Sequence, residues 1–212
     1  MECMTRLEET RATYELAGEA FLDLAAQLSL ERYAGPGLGN WDLRALVGHT
    51  GRSFVTVSTY LATRAEEVVT EDAADYFAVV SRLAHGTARD AIHQRGIEAG
   101  VSRGADPLTN LRRSRDEAEL ALDLLAGADV AITTAGGGMR VSDYLPTRSF
   151  ELTVHCLDIA RATGLDFTPP TEALADTLAL ASASALRQGL GTDVLLALTG
   201  RQPLPDGASV VP

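Results

Sequence analysis

The chain has 212 residues, 46% of them hydrophobic and 22% charged, with a formal net charge of -11. That is enough chain to bury one substantial core without disulfide or metal staples, and the composition is far from that of a disordered segment. The negative balance argues against nucleic acid or an anionic membrane as partner, and no stretch approaches the roughly 20 apolar residues of a membrane span.

The first predicted element is a helix from about Thr5 to Leu28. Leu7, Tyr14, Phe21 and Leu28 recur every seven residues, with Ala17 and Leu24 between them, which makes one apolar stripe. The start, MECMTRLEETRATYEL, lacks the basic-then-apolar order of a signal peptide. Gly35-Pro36-Gly37-Leu38-Gly39 stops this region. A second helix begins near Asn40 to Asp42, either of which can cap it, and carries Leu43, Leu46, Val47, Phe54, Val57 and Leu61 on its apolar side.

A third helix is expected from roughly Asp72 to Glu98, and a fourth from about Leu108 to Ala126, charged on its outer side. Residues Val130 to Thr134 read as a short extended piece at most, and Gly136-Gly137-Gly138 as a turn or mobile loop. These glycines lack the flanking lysine and Ser/Thr of a phosphate-cradling loop. The fifth helix spans about Ser142 to Thr163 and stops at Gly164. After Pro169-Pro170-Thr171 come an Ala/Leu-rich helix, Glu172 to Gln188, and a short one, Thr192 to Thr199. The expected fold is all-α, with antiparallel helices on short connections, the condition for an up-and-down bundle. Residues 1–165 would form the bundle and 171–212 a small C-terminal helical extension.

The fifth helix contains RSFELTVHCLDIARATG. Arg148, Glu151, His155 and Asp158 are spaced three, four and three apart, so they share a face, and Leu152 and Ile159 point nearly the same way. Ionisable groups inside a buried stripe need compensation. A glutamate and a histidine four apart can hold one metal ion; the bland alternative is an i,i+4 polar pair on the surface. A third ligand must come from elsewhere, and His49, beside Leu46 and Ser53 on the second helix, lies at the edge of an apolar stripe. Two histidines and a carboxylate are a ligand set of catalytic zinc sites with an open position.

The segment Trp41-Asp42-Leu43-Arg44-Ala45-Leu46-Val47-Gly48-His49 resembles the tryptophan-to-histidine helix start of the DinB-like, mycothiol-dependent maleylpyruvate isomerase family. Gly138-Met139-Arg140-Val141-Ser142-Asp143-Tyr144-Leu145, followed by Arg148, Glu151, His155, Asp158 and Ala162-Thr163-Gly164, is similar to that family's second signature. Leu198-Thr199-Gly200-Arg201 is similar to a C-terminal segment found there. The resemblance implies a four-helix bundle with a divalent metal on His49, Glu151 and His155, and zinc is the first choice for that donor set. It also implies mycothiol or a similar thiol as cofactor, a small electrophilic substrate, and a role for Arg201 in holding a substrate or thiol carboxylate.

Among the other candidates, His85 and His93 are about 12 Å apart along a helix and cannot share one ion. They read as solvated or partly packed. Cys3 and Cys156 make no disulfide framework, so a cytoplasmic location is the simplest reading. Cys156 points about 100° from His155 and reads as a structural thiol. Asp158 is either an acceptor that orients a ligand or an ion-pair partner of Arg161 or Arg148. Trp41 reads as a packing anchor, and Arg112, Arg113 and Arg115 with Asp116, Glu117 and Glu119 as a mixed charged face. All 18 basic residues are arginine, which fits a GC-rich, actinobacterial source where mycothiol is the expected thiol.

The function expected is a metal-dependent enzyme using that thiol for isomerisation or S-transfer, as a monomer or homodimer. The alternative is a non-catalytic metal- or thiol-binding stress-response protein of the same fold. A helical transcription regulator would need a basic helix-turn-helix near the N-terminus, and a ferritin-like di-metal centre a second E-x-x-H. Neither pattern is present.

Overall fold

The computed structural model describes the backbone of residues 4–83 and 87–210, and the side chains of these residues except 87–93. Among the described residues the chain is mostly helical. Its elements are α1 (Arg6–Ala25), a 3-10 turn (Leu30–Ala34), α2 (Leu43–Leu61), α3 (Ala73–Leu83), α4 (Thr87–Ser102) and α5 (Pro107–Asp123). There follow β1 (Ala131–Thr134), β2 (Gly137–Arg140), α6 (Val141–Thr163), α7 (Thr171–Arg187) and α8 (Gly191–Leu198). No helix among the described residues is long and apolar enough to cross a membrane.

The helix ends follow local chemistry. Thr5 and Glu8 form a reciprocal capping box that starts α1. The Asp42 carboxylate accepts from the Ala45 N–H at 2.7 Å and starts α2, and Asp106 with Pro107 starts α5. The first N–H groups of α6 are capped from a distance, as Asp129 accepts from both the backbone N–H and the hydroxyl of Ser142. Gly164 closes α6 in the left-handed conformation, φ 70°.

Helix α1 packs on α6, α6 on α2, α2 on α5, and α5 on α1. Phe21, Leu46, Phe54, Leu111, Leu145, Leu152 and Ile159, all fully buried, fill the space between these four helices. Helix α4 lies along the outside of α2, and α7 lies against α6 and α3. The approach of α4 requires glycine. A Cβ on Gly48 would run into the backbone of Gly100, and one on Gly100 into the Arg44 carbonyl. This contact fixes the backbone immediately before His49.

Two expectations need correction. The single helix expected from Asp72 to Glu98 is two, α3 and α4, and they serve different partners: α3 packs on α7 and α6, α4 on α2. One straight helix could not cover both. The glycine triplet is a turn only at Gly136, because Gly137 and Gly138 belong to β2, paired antiparallel with β1 in the register Thr134–Gly137 and Thr133–Gly138. The Gly138 carbonyl accepts from the N–H groups of Val69 and Thr70. A side chain at Gly138 would strike the Glu67 carbonyl. A contact with a segment some seventy residues earlier is invisible in the local sequence.

Candidate metal centre

Helices α2 and α6 run antiparallel, as their side-chain pairs show. His49 meets Glu151 and His155, Thr56 accepts from the Tyr144 hydroxyl at 2.8 Å, and the Tyr60 ring lies 5.5 Å from that of Tyr144. Rising numbers on α2 face falling numbers on α6. The polar face of α6 is thereby laid against one edge of α2.

One donor atom from each of His49, Glu151 and His155 lies within 4.8 Å of the others. His155 Nε2 is 3.1 Å from Glu151 Oε2, and His49 Nε2 is 3.9 Å from the same oxygen. The side chains keep 20%, 20% and 13% of their surface for His49, Glu151 and His155, so the group is recessed but open to solvent. Donors around a tetrahedral zinc stand about 3.4 Å apart, given metal–ligand distances near 2.1 Å. Small side-chain rotations bridge the difference.

Ring orientation is fixed unequally. His155 Nδ1 is 3.1 Å from Asp158 Oδ2, the carboxylate–imidazole arrangement that orients metal-bound histidines. Asp158 makes no ion pair with Arg148 or Arg161 among the described residues, so of its two expected roles the geometry favours orienting His155. The Trp41 ring stacks 4.7 Å from that of His49 and also fills the space over Gly96 of α4. Yet neither nitrogen of His49 has a hydrogen bond among the described residues, and its Nδ1 is buried with no partner. A largely buried imidazole without a hydrogen bond is under-satisfied, and its Nε2, which faces Glu151 and His155, is free to act as a donor to a cation. The donor set and this idle imidazole both fit a divalent metal.

The electrostatics agree. Burial would raise the Glu151 pKa, but the hydrogen bond and charge of His155, followed by Arg148 and His49, hold it down at about 2. Burial would lower that of His155, but hydrogen bonds to Asp158 and Glu151 outweigh it and raise it to about 9. His49 is lowered to about 3, first by burial and then by the His155 charge. Glu151 is thus held toward the ionised form and His49 toward the neutral form, while His155 keeps its proton beyond the usual imidazole range.

The remaining expected residues fall as follows. Arg148, on the α6 face one turn before Glu151, is 8% exposed and stands over the rings of Tyr144 and Tyr76 at 5.1 and 5.6 Å. Arg201 is exposed and donates to the Thr199 carbonyl oxygen; α8, which precedes it, packs on α7. Cys156 is buried, and burial pushes its thiol well up from the usual range, so it stays protonated. Arg115 pairs with Glu19, Asp116 and Glu119 in a mixed charged face. Cys3 and His85 lie outside the described residues, as does the side chain of His93. Sequence reasoning passed over Arg52 and Tyr76.

A family model described as the mycothiol maleylpyruvate isomerase N-terminal domain matches residues 14–160. No curated protein and no solved structure matches the chain. The matched span begins in α1 and ends in α6, and holds His49, Glu151, His155 and Asp158 but neither α7 nor α8.

Proposed function

Given that the chain belongs to the mycothiol maleylpyruvate isomerase N-terminal domain family, we propose that it is a divalent-metal-dependent enzyme that uses a low-molecular-weight thiol. The thiol serves isomerisation, or S-transfer, of a small electrophile. The observation that carries this reading is the recessed cluster in which donor atoms of His49, Glu151 and His155 lie within 4.8 Å of one another, two imidazoles and a carboxylate brought together from facing helices. The closed circuit of α1, α6, α2 and α5 supports a four-helix bundle of the DinB-like kind.

In this reading His49, Glu151 and His155 hold the metal, with zinc favoured by two imidazoles and a carboxylate. A bound dication lowers the pKa of a coordinated thiol, which makes it nucleophilic at neutral pH. The chain's own residues do the rest. Asp158 keeps the proton of His155 on Nδ1 and leaves Nε2 free to ligate. Trp41 and the α4 backbone exclude water from one side of His49. Glu151, ionised throughout the working pH range, neutralises part of the cation's charge. Mycothiol as the thiol and a cytoplasmic setting complete the proposal.

The test is metal content together with thiol-dependent turnover. Wild-type chain should hold one zinc, and His49→Ala and His155→Ala should each lose it along with any thiol-dependent conversion of an electrophile panel. Full metal in both variants would exclude these ligands. Metal without turnover in the wild type would leave a binding protein rather than an enzyme.

A further inference from the structure

The two imidazoles of the centre are oriented by different means. His155 is held by a hydrogen bond, its Nδ1 3.1 Å from Asp158 Oδ2. His49 has no counterpart to this, because its Nδ1 is buried without a hydrogen-bond partner among the described residues. The torsion that turns an imidazole about its Cβ–Cγ bond is broad, so no hydrogen bond keeps the ring from swinging its Nε2 away from α6. Yet Nε2 stands 3.9 Å from Glu151 Oε2, and the ring centre lies 5.1 Å from that of His155, nearly edge-on at 84°. Packing must set that orientation.

The ring that packs on His49 is Trp41. The two centres are 4.7 Å apart with planes tilted by 37°, within the range of favourable aromatic pairs. The backbone of Trp41 is itself held, its N–H donating to the Leu38 carbonyl and its carbonyl accepting from the Gly37 N–H, each at 2.9 Å. The indole is also bounded by α4. A Cβ on Gly96 would come within 2.5 Å of Trp41 Cζ2 and 3.0 Å of its Nε1, so only glycine leaves room for the ring. Helix α4 is seated on α2 in turn by the mutual approach of Gly48 and Gly100. The indole thus touches α4 and the imidazole at once.

We propose that Trp41, seated in the socket at Gly96, is the positioning residue of His49. It holds the imidazole at the angle that presents Nε2 to Glu151 and His155, the part that Asp158 plays for His155. A stacked plane limits the tilt of the ring without accepting a proton from it. Helix α4 thereby becomes a working part of the centre although it supplies no ligand. The ion at Nε2 rests on the proposed function; the orientation of the ring is a property of the metal-free chain and does not.

The test reads orientation first, by proton NMR on the zinc-free full-length chain, with the His49 resonances assigned through His49→Ala. Cross-relaxation should link the ring protons of His49 to those of His155. Trp41→Leu keeps apolar bulk but no plane, and Gly96→Ala adds one methyl against the indole; both should weaken that link. The second reading is zinc affinity, by competition with a chromophoric chelator. Trp41→Leu should lose about tenfold or more, the scale of a lost orienting partner. Gly96→Ala should lose less, and Trp41→Phe, which restores a ring, should recover most of the loss. Val57→Ala, at a fully buried position on α2 about two turns past His49, should lower thermal stability and leave both readings unchanged. Wild-type cross-relaxation, or wild-type zinc affinity, in both Trp41→Leu and Gly96→Ala overturns the inference, as does an equal loss in Val57→Ala. A wild type that takes up no zinc sinks the metal reading alone, and the NMR comparison then decides this one.

Discussion

The face of α6 from Arg148 to Asp158 and the short helix α8 both depart from the rule of apolar inside and polar outside, in opposite senses. On α6, Arg148, Glu151, His155 and Asp158 are largely covered, while Leu152 and Ile159 of the same helix are fully buried. On α8 no residue is buried, and Leu195 and Leu198 are 62% and 75% exposed. The two departures are not equal in cost. Withdrawing a charge from water costs several kcal/mol unless it is compensated, so a run of four such residues on one face demands an explanation from chemistry. An exposed leucine costs little, and scattered ones are ordinary on any surface. The family match divides the molecule similarly, covering α6 to residue 160 and excluding α8.

The sharpest way to break this comparison is to remove the central charge of the α6 face. Glu151→Gln keeps the volume but deletes the carboxylate toward which His155 Nε2 and His49 Nε2 converge. Metal affinity should fall by more than about a hundredfold, beyond the 10–100-fold typical of residues that only support a ligand. Competition with a chromophoric chelator measures it. Retention of wild-type affinity would mean that the buried polar run is structural and the contrast with α8 has no functional meaning.

A smaller effect sharpens the same side. Metal must displace the proton of His155, whose pKa is raised to about 9, whereas the lowered value of His49, about 3, adds no slope near neutrality. Apparent affinity at fixed free metal should therefore climb about tenfold per pH unit from pH 7 to 9 and level off above it. Stability of the metal-free chain runs the other way. The folded-state pKa of His155 lies above the unfolded value of 6.5, so its contribution is complete below pH 6.5 and is lost as pH rises through about 9. Asp158→Asn removes the strongest support for that proton and should shift the affinity rise to lower pH, while weakening the plateau by about 10–100-fold. A metal-binding curve flat across pH 7–9 would contradict the coupling of proton and cation at His155.

The difference between the two regions also explains what sequence could reveal. The α6 face was legible because its spacing of three, four and three is a property of one helix, and His49 followed because histidines are few. Helix ends were legible where a local cap sets them, as at Thr5, Asp42 and Gly164. What failed depended on distant partners: β2, whose Gly137 and Gly138 are ordered by Val69, Thr70 and Glu67, and the division of α3 from α4. Arg148 was visible as a member of the face, but its place over the rings of Tyr76 and Tyr144 required the folded structure. Arg201 stayed an inference from resemblance. It lies beyond the matched span and hydrogen-bonds within its own loop.

The least effect is expected on the other side. Leu195→Gln replaces a side chain that is 62% exposed on a helix with no buried residue, so little apolar area changes environment. Substitutions of this kind stay within about 0.5 kcal/mol, and metal content should match wild type. The measurement is a urea unfolding curve read alongside zinc stoichiometry. A loss of several kcal/mol would show that the leucine is covered in solution by another surface, and exposure on α8 would then be as informative as burial on α6. If stability and metal both hold, the asymmetry stands: only the polar groups drawn inward mark where this chain does its chemistry.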